Sequence, residues 1–263
     1  MRTLKHILLF LILACIGCKN QTQESSNTTS ENKGVIENQF RRFTFFIQSQ
    51  NKELPKLFQS DSWVKLKVME GIHEINVYQK ESDYFLVFDV DISFNSKKLM
   101  GMLKGSEGFL SFENSLSALG VVFPKHDQAL ERIYKLDQKV SYKPVEGQLK
   151  TTVKPYKRFV WTLLLEEDPE LIAEYKKVHG IGQAWPEITA NMKSVGVKDM
   201  EIYIHKEQVV LIMDTKPGFN LEEVGPKWQK LPREEEWQAY VAKFQRTDPE
   251  SSIQEKWKDM IVL

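Results

Sequence analysis

The stretch GIHEINVYQKESDYFLVFDVDISFN, Gly71 to Asn95, is written twice in this chain. GVKDMEIYIHKEQVVLIMDTKPGFN, Gly196 to Asn220, aligns with it without a gap at an offset of 125. Gly71 meets Gly196, Tyr78 meets Tyr203, Leu86 meets Leu211, Asp89 meets Asp214 and Asn95 meets Asn220. The same offset carries Phe112 onto Trp237 and Leu116 onto Val241. Upstream, RRFTFFI (Arg41 to Ile47) matches KRFVWTL (Lys157 to Leu163) at an offset of 116. Both copies close in an apolar segment, LERIYKL and KWKDMIVL. A gapless repeat with collinear flanks is the signature of an internal duplication.

The second copy sets the element order. FVWTLLL is an apolar strand. Asp168 caps a helix with Pro169 in its first position, and Leu171, Ile172, Tyr175, Val178 and His179 form its inward stripe. Pro186 opens a second helix carrying Ile188, Met192 and Val195, and Gly196 suits a left-handed stop. MEIYI and VVLIMD are strands joined by a polar turn. Pro232 opens a last helix with Trp237, Tyr240, Val241 and Phe244 on one face, and KDMIVL closes the sheet. Each copy therefore reads β-α-β-β-α-β, a ferredoxin-like order. Such a unit covers one face of its sheet with helices and leaves the other in need of a partner. The expected fold is α+β: tandem ferredoxin-like repeats packed sheet to sheet as an intrachain dimeric α+β barrel. The first repeat is placed at 38–139, a linker at 140–152 and the second at 153–263.

The 263 residues suffice for one large or two ordinary domains. Thirty-six basic residues balance thirty-six acidic ones, so no net field favours nucleic acid. Arg2 and Lys5 precede an apolar run from Ile7 to Ile16, too short to span a bilayer and right for a signal h-region. The run ends in ILACIGCKN, which resembles a bacterial lipoprotein signal, with lipid on Cys18 or on Cys15. Residues 1–18 are read as that signal and 19–37, which begin KNQTQESSNTTSENK, as a disordered tether. The expected location is the bacterial envelope, with the chain lipid-anchored to a membrane. The two cysteines are the only ones, so the mature domain has neither an internal disulfide nor a thiolate metal site. No His/Asp/Glu cluster has metal spacing, and no Gly-rich loop follows a strand in a nucleotide-binding pattern.

The segments DPELIAEYKKVH, WPEI, MKSVGVKDMEIY, LIMDT and EKWKDMIVL occur in that order from about Lys157 to Leu263. This ordered set resembles the L-rhamnose mutarotase family, small dimeric α+β barrels that interconvert the anomers of L-rhamnose or similar deoxy sugars without a cofactor. The resemblance implies an isomerase of the racemase and epimerase kind. It implies that His179 is the acid/base and that Tyr175, one turn earlier, holds the sugar. Histidine ordinarily titrates near neutral pH, so it can both take and give a proton when a hemiacetal opens. Trp185, Glu187 and Trp237 are further candidate sugar contacts. Three departures stand out: GIGQA lengthens the connection from His179 to Trp185, Met200 replaces a tyrosine, and Val241 and Ala242 stand where adjacent aromatics are usual.

The first copy has no Tyr-x-x-x-His and no Trp-Pro-Glu, and reads as a structural partner without a site. Asp89 and Asp214, like Tyr78 and Tyr203, recur in both copies and read as structural. Arg233 to Glu236, REEE, reads as a solvated helix start. The leading expectation is a cofactor-independent mutarotase binding a monosaccharide, L-rhamnose or L-fucose-like, as a monomer with an internal pseudo-dimer or as a homodimer. The rivals are a non-catalytic sugar-binding envelope lipoprotein and a purely structural barrel.

Overall fold

A computed structural model describes residues 39–151, 154–246 and 256–263. The expected signal segment and tether lie outside them. The first copy runs β1 (Gln39–Gln48), α1 (Leu54–Leu57), α2 (Asp61–Leu66), β2 (Ile72–Lys80), β3 (Asp83–Val90), α3 (Ser96–Lys104), α4 (Glu107–Ala118) and β4 (Glu131–Lys135). A short β5 (Gln148–Thr151) follows. The second copy runs β6 (Lys157–Leu164), α5 (Pro169–Val178), α6 (Pro186–Val195), β7 (Val197–His205), β8 (Gln208–Thr215), α7 (Leu221–Trp228), α8 (Glu234–Ala242), β9 (Lys258–Asp259) and β10 (Ile261–Val262).

Two antiparallel five-stranded sheets result, in the orders β10-β2-β3-β1-β5 and β4-β7-β8-β6-β9. The orders superimpose strand for strand, so the duplication in the sequence is a pseudo-twofold in space. Backbone irregularities repeat with it. A bulge falls between Ile72 and Glu74 and again between Val197 and Asp199. Gly71 and Gly196 both take positive φ, as do Glu81 and Lys206 in the two hairpin turns.

Each sheet borrows its edge. β4, the end of the first copy, pairs with β7 of the second, and β10 pairs with β2 of the first. The closing segments KDMIVL and LERIYKL form strands, as expected, but β4 and β10 each complete the other copy's sheet, while β9 stays with β6 of its own copy. An apolar run marks a strand without marking its neighbour, which explains the difference. The stretch expected as a linker also differs: Gln148 to Thr151 pair with β1 as an edge strand.

Strand alternation builds three apolar layers. On β3, Leu86, Phe88 and Val90 face the first copy's helices, whereas Phe85 and Val87 face the opposite sheet. On β8, Leu211 and Met213 face α5 to α8, whereas Val210 and Ile212 meet Phe85, Val87 and Tyr203 between the sheets. In the first copy the helical layer is filled by rings: Phe112, the counterpart of Trp237, packs 4.7 Å from Trp63 and 5.7 Å from Phe58.

The recurring aspartates are structural, as their repetition suggests. Asp89 receives Arg42 at 2.7 and 2.6 Å, and Asp214 receives Arg158 at 2.7 and 2.8 Å, both in fork geometry. Arg42 and Arg158 are themselves matched by the 116 offset. Tyr203 donates to Glu201 at 3.0 Å within the same buried network.

Local start and stop signals hold in the second copy. Asp168 accepts from the backbone N–H groups of Glu170 and Leu171, and Gly196 ends α6 at φ 106°. The last helix differs by two residues. It begins at Glu234, because Arg233 adopts the left-handed conformation at φ 64° and breaks the turn that Pro232 would have started.

Candidate active site

The helices of the second copy stand off their sheet around a cavity of about 210 Å³. This is below the roughly 300–1,000 Å³ of pockets for drug-sized ligands. Its walls are mostly apolar: Ile188 and Met192 from α6, Met200 and Ile202 from β7, Leu211 from β8, Val241 from α8. Trp161, Trp228, Trp237 and Trp257 add aromatic faces, and Gln229, Gln238 and Gln245 add amides. Such a surface suits a small ligand with one apolar face and several hydroxyls.

His179 lines this cavity at the C-terminal end of α5 and is 7% exposed. Its ring lies 4.2 Å from Tyr175, 5.6 Å from Trp237 and 6.1 Å from Tyr134, centroid to centroid. Nδ1 is 2.8 Å from the carbonyl oxygen of Tyr175. A carbonyl can only accept, so Nδ1 carries the proton and neutral His179 keeps a bare lone pair on Nε2. Burial lowers the imidazole pKa to about 4, against a smaller opposing effect of the Tyr175 carbonyl. This departs from the expectation of a group titrating near neutrality: buried among aromatic rings, His179 is uncharged at pH 7.

The candidate residues divide. Tyr175 and Trp237 line the cavity with His179, and burial raises the Tyr175 phenol, which therefore stays protonated. Trp185 does not line it. Its ring lies behind Trp237 at 5.3 Å, stacks on Tyr240 at 5.9 Å, and carries the Arg233 guanidinium over its face at 4.0 Å from the centroid. Glu187 is likewise outside the cavity, at the surface, 3.4 Å from Arg233. The longer connection through Gly180, Ile181 and Gly182 forms the wall of a second hollow of about 140 Å³ that also reaches His179, Tyr134 and Ala184. Met200 and Val241 are cavity walls, so the departures from the family pattern fall on the site itself.

Two residues of the site were not anticipated. Tyr134 belongs to the first copy, yet β4 carries it into the second sheet and the bulge between Arg132 and Tyr134 turns it toward the cavity. The first copy is thus not merely a partner without a site. Burial raises the Tyr134 phenol as well, with Thr189 as a hydrogen-bond partner. The other is Glu234. Within the REEE run expected to be solvated, it is 4% exposed and lines the cavity. Its Oε1 accepts from Asn191 Nδ2 at 3.0 Å and from Trp228 Nε1 at 2.9 Å. The signal was its position three residues before Trp237, on the apolar face of α8.

The fold and the cavity together define an α+β-barrel protein with an imidazole in a small aromatic pocket. The model of L-rhamnose mutarotase matches residues 158–262. An L-fucose mutarotase of Xanthomonas campestris pv. campestris is 28% identical over 102 residues, which are 39% of this chain and 82% of that protein. A UPF0734 protein of Dictyostelium discoideum is 32% identical over 109 residues, 40% of this chain and 86% of that protein. The chain belongs to the L-rhamnose mutarotase family through its second copy. Among solved structures, a ferredoxin-fold protein from Listeria monocytogenes related to antibiotic biosynthesis monooxygenases aligns over 75% of this chain and 82% of its own, with 10% identity and a TM-score of 0.27. A structure described as a monooxygenase from Fusobacterium nucleatum aligns over 86% of this chain and 92% of its own, with 9% identity and a TM-score of 0.41. Both are too distant to bear on the details of this site.

Proposed function

We propose that the chain exchanges the α and β anomers of a deoxy sugar such as L-rhamnose or L-fucose at the cavity of the second copy. Family membership implies carbohydrate isomerase activity of this general kind. The observation that carries the reading is the bare Nε2 of His179 within an enclosed, aromatic-walled cavity. There it takes the proton of the anomeric hydroxyl, the C1–O5 bond opens to an aldehyde, and closure on the other face returns the proton. Base help of this kind is worth roughly 10²–10⁴-fold. Trp237 and Tyr175 pack against the sugar ring, and Met200, Ile202 and Val241 receive its methyl side. Saturation-transfer NMR on L-rhamnose and L-fucose tests the reading. Wild-type exchange above the buffer rate, lost in His179→Ala, is the expected result.

A second reading is favoured by the low pKa of His179, which weakens it as a base. In it the pocket binds a sugar without converting it, and calorimetry finds saturable binding while exchange stays at the buffer rate. We also infer, from residues 1–18 alone, a lipid anchor on Cys18 or Cys15 that holds the chain to a bacterial envelope membrane. Loss of the protein from the membrane fraction in Cys18→Ser, or in Cys15→Ser, identifies the acylated residue.

A further inference from the structure

We propose that Glu234 is the second proton-transfer group of this cavity, giving its proton to the ring oxygen of the sugar while His179 takes the proton of the anomeric hydroxyl. The inference rests on the mutarotase reading and adds a residue to it. Ring opening needs two proton movements, and neutral His179 can begin only one of them. Tyr134 and Tyr175 line the same cavity, but burial holds both phenols in the protonated form and makes them poor exchangers. Two carboxyl groups remain. Asp259 is exposed and accepts the indole N–H of Trp161 at 2.5 Å. Glu234 is buried in the wall.

The partners of Glu234 are informative. The groups facing it are Asn191 from α6 and Trp228 from α7, both neutral and both donating to Oε1. On its own helix, Glu236 is bound to Arg233, which points outward to Glu187 as well. No cation of the described residues forms an ion pair with Glu234. With Oε1 accepting both hydrogen bonds, a proton on this carboxyl sits on Oε2, for which no partner occurs among the described residues. Burial raises the Glu234 pKa and so favours the acid form, while the N–H donors of Asn191 and Trp228 favour the carboxylate and offset this only in part. Glu234 and Trp237 are three residues apart on one helix face, and the ring of Trp237 touches His179, so both proton carriers border the same ligand space.

The step balances. The anomeric O–H proton passes to Nε2 of His179, the C1–O1 bond becomes a carbonyl, and the C1–O5 electron pair goes to O5, which receives the Glu234 proton. After rotation about C1–C2, the Glu234 carboxylate recovers its proton from the O5 hydroxyl as O5 attacks C1. O1 takes its proton back from the imidazolium.

Glu234→Gln keeps a carbonyl oxygen for Asn191 and Trp228 but cannot transfer a proton. Saturation transfer on L-rhamnose, across concentration and pH, should show kcat lowered by about 10²-fold with KM within threefold, and the alkaline limb of the pH profile removed. A purely structural tie between helices would leave kcat and the profile in place. Exchange abolished by His179→Ala yet within threefold of wild type in Glu234→Gln overturns this assignment alone. Wild-type exchange no faster than buffer overturns it together with the mutarotase reading. In the wild-type protein labelled at the glutamate side-chain carbon, a Glu234 carboxyl titrating above the ordinary glutamate range is expected. One titrating below that range overturns the assignment even where Glu234→Gln does not fold.

Discussion

Arg42 and Glu201 stand 159 positions apart in the chain and meet at 2.7 Å between the two sheets, each 1% exposed. Arg42 belongs to β1 and Glu201 to β7, so this ion pair joins the two copies at their interface. Glu201 also takes Arg132 at 2.7 Å and Lys150 at 2.9 Å, and Lys150 bonds Asp199 besides. Removing this carboxylate would leave buried Arg132 without its ion-pair partner and take one of two partners from Arg42 and from Lys150, which keep Asp89 and Asp199. Glu201→Ala should therefore cost about 3–5 kcal/mol, the usual effect of breaking a buried pair from one side. Chemical denaturation checks this; a loss under 1 kcal/mol would mean that water reaches the network.

The same carboxylate predicts acid sensitivity. Burial works to raise the Glu201 pKa, but Lys150, Arg42 and Arg132 outweigh it and hold it well below the ordinary value. With a depressed folded pKa, the unfolded chain binds the proton first as pH falls. The stabilisation is present above about pH 4.5 and drains away below it. Melting temperatures of wild type and Glu201→Gln, followed from pH 7 to pH 2, should converge in acid.

His179 acts in a higher window. Its folded pKa of about 4 lies below the ordinary 6.5, so the unfolded state protonates first and stability falls between pH 6.5 and about 4. The full cost is on the order of 3 kcal/mol. His179→Gln should flatten this part of the stability curve. The acid limb of exchange activity in the wild type should sit near pH 4; a limb near 6.5 would show an imidazole open to water.

Tyr134 tests the contribution of the first copy. Tyr134→Ala should weaken sugar binding about tenfold by calorimetry, as loss of one aromatic wall usually costs 1–2 kcal/mol in such sites. Tyr134→Phe, which keeps the ring, should bind nearly as wild type. Equal binding by all three proteins would place the sugar away from β4.

Gly196 tests the turn that both copies share. It holds φ 106°, and a Cβ there would lie 3.0 Å from the Lys216 side chain. Gly196→Ala should cost about 1–2 kcal/mol in thermal unfolding, mainly through backbone strain. No measurable loss would imply that the α6–β7 junction relaxes.

The sequence carries the architecture in its repeat. The 125 offset locates matching hairpins, bulges and Arg–Asp pairs, because residues with the same neighbours in two sheets keep the same identities. Strand exchange is hidden, because the mixed apolar and charged patterns of LERIYKL and KDMIVL mark a strand without specifying a partner edge. At the site, helical period and family resemblance bring out Tyr175, His179 and Trp237, which the cavity unites. Period cannot show that Trp185 lies behind Trp237 and Glu187 outside. Glu234 was concealed by company: three successive glutamates suggest solvent, and only the phase set by Trp237 distinguishes the buried one.

The borrowed edges bear on how the protein is made. While the ribosome is still working on the second copy, β2 has no neighbour on its outer side, because Ile261 and Val262 have not been synthesised. Nascent chains therefore carry an unpaired strand rim for most of translation, a ready template for pairing with other chains. Cells producing this protein should rely on chaperones during that interval.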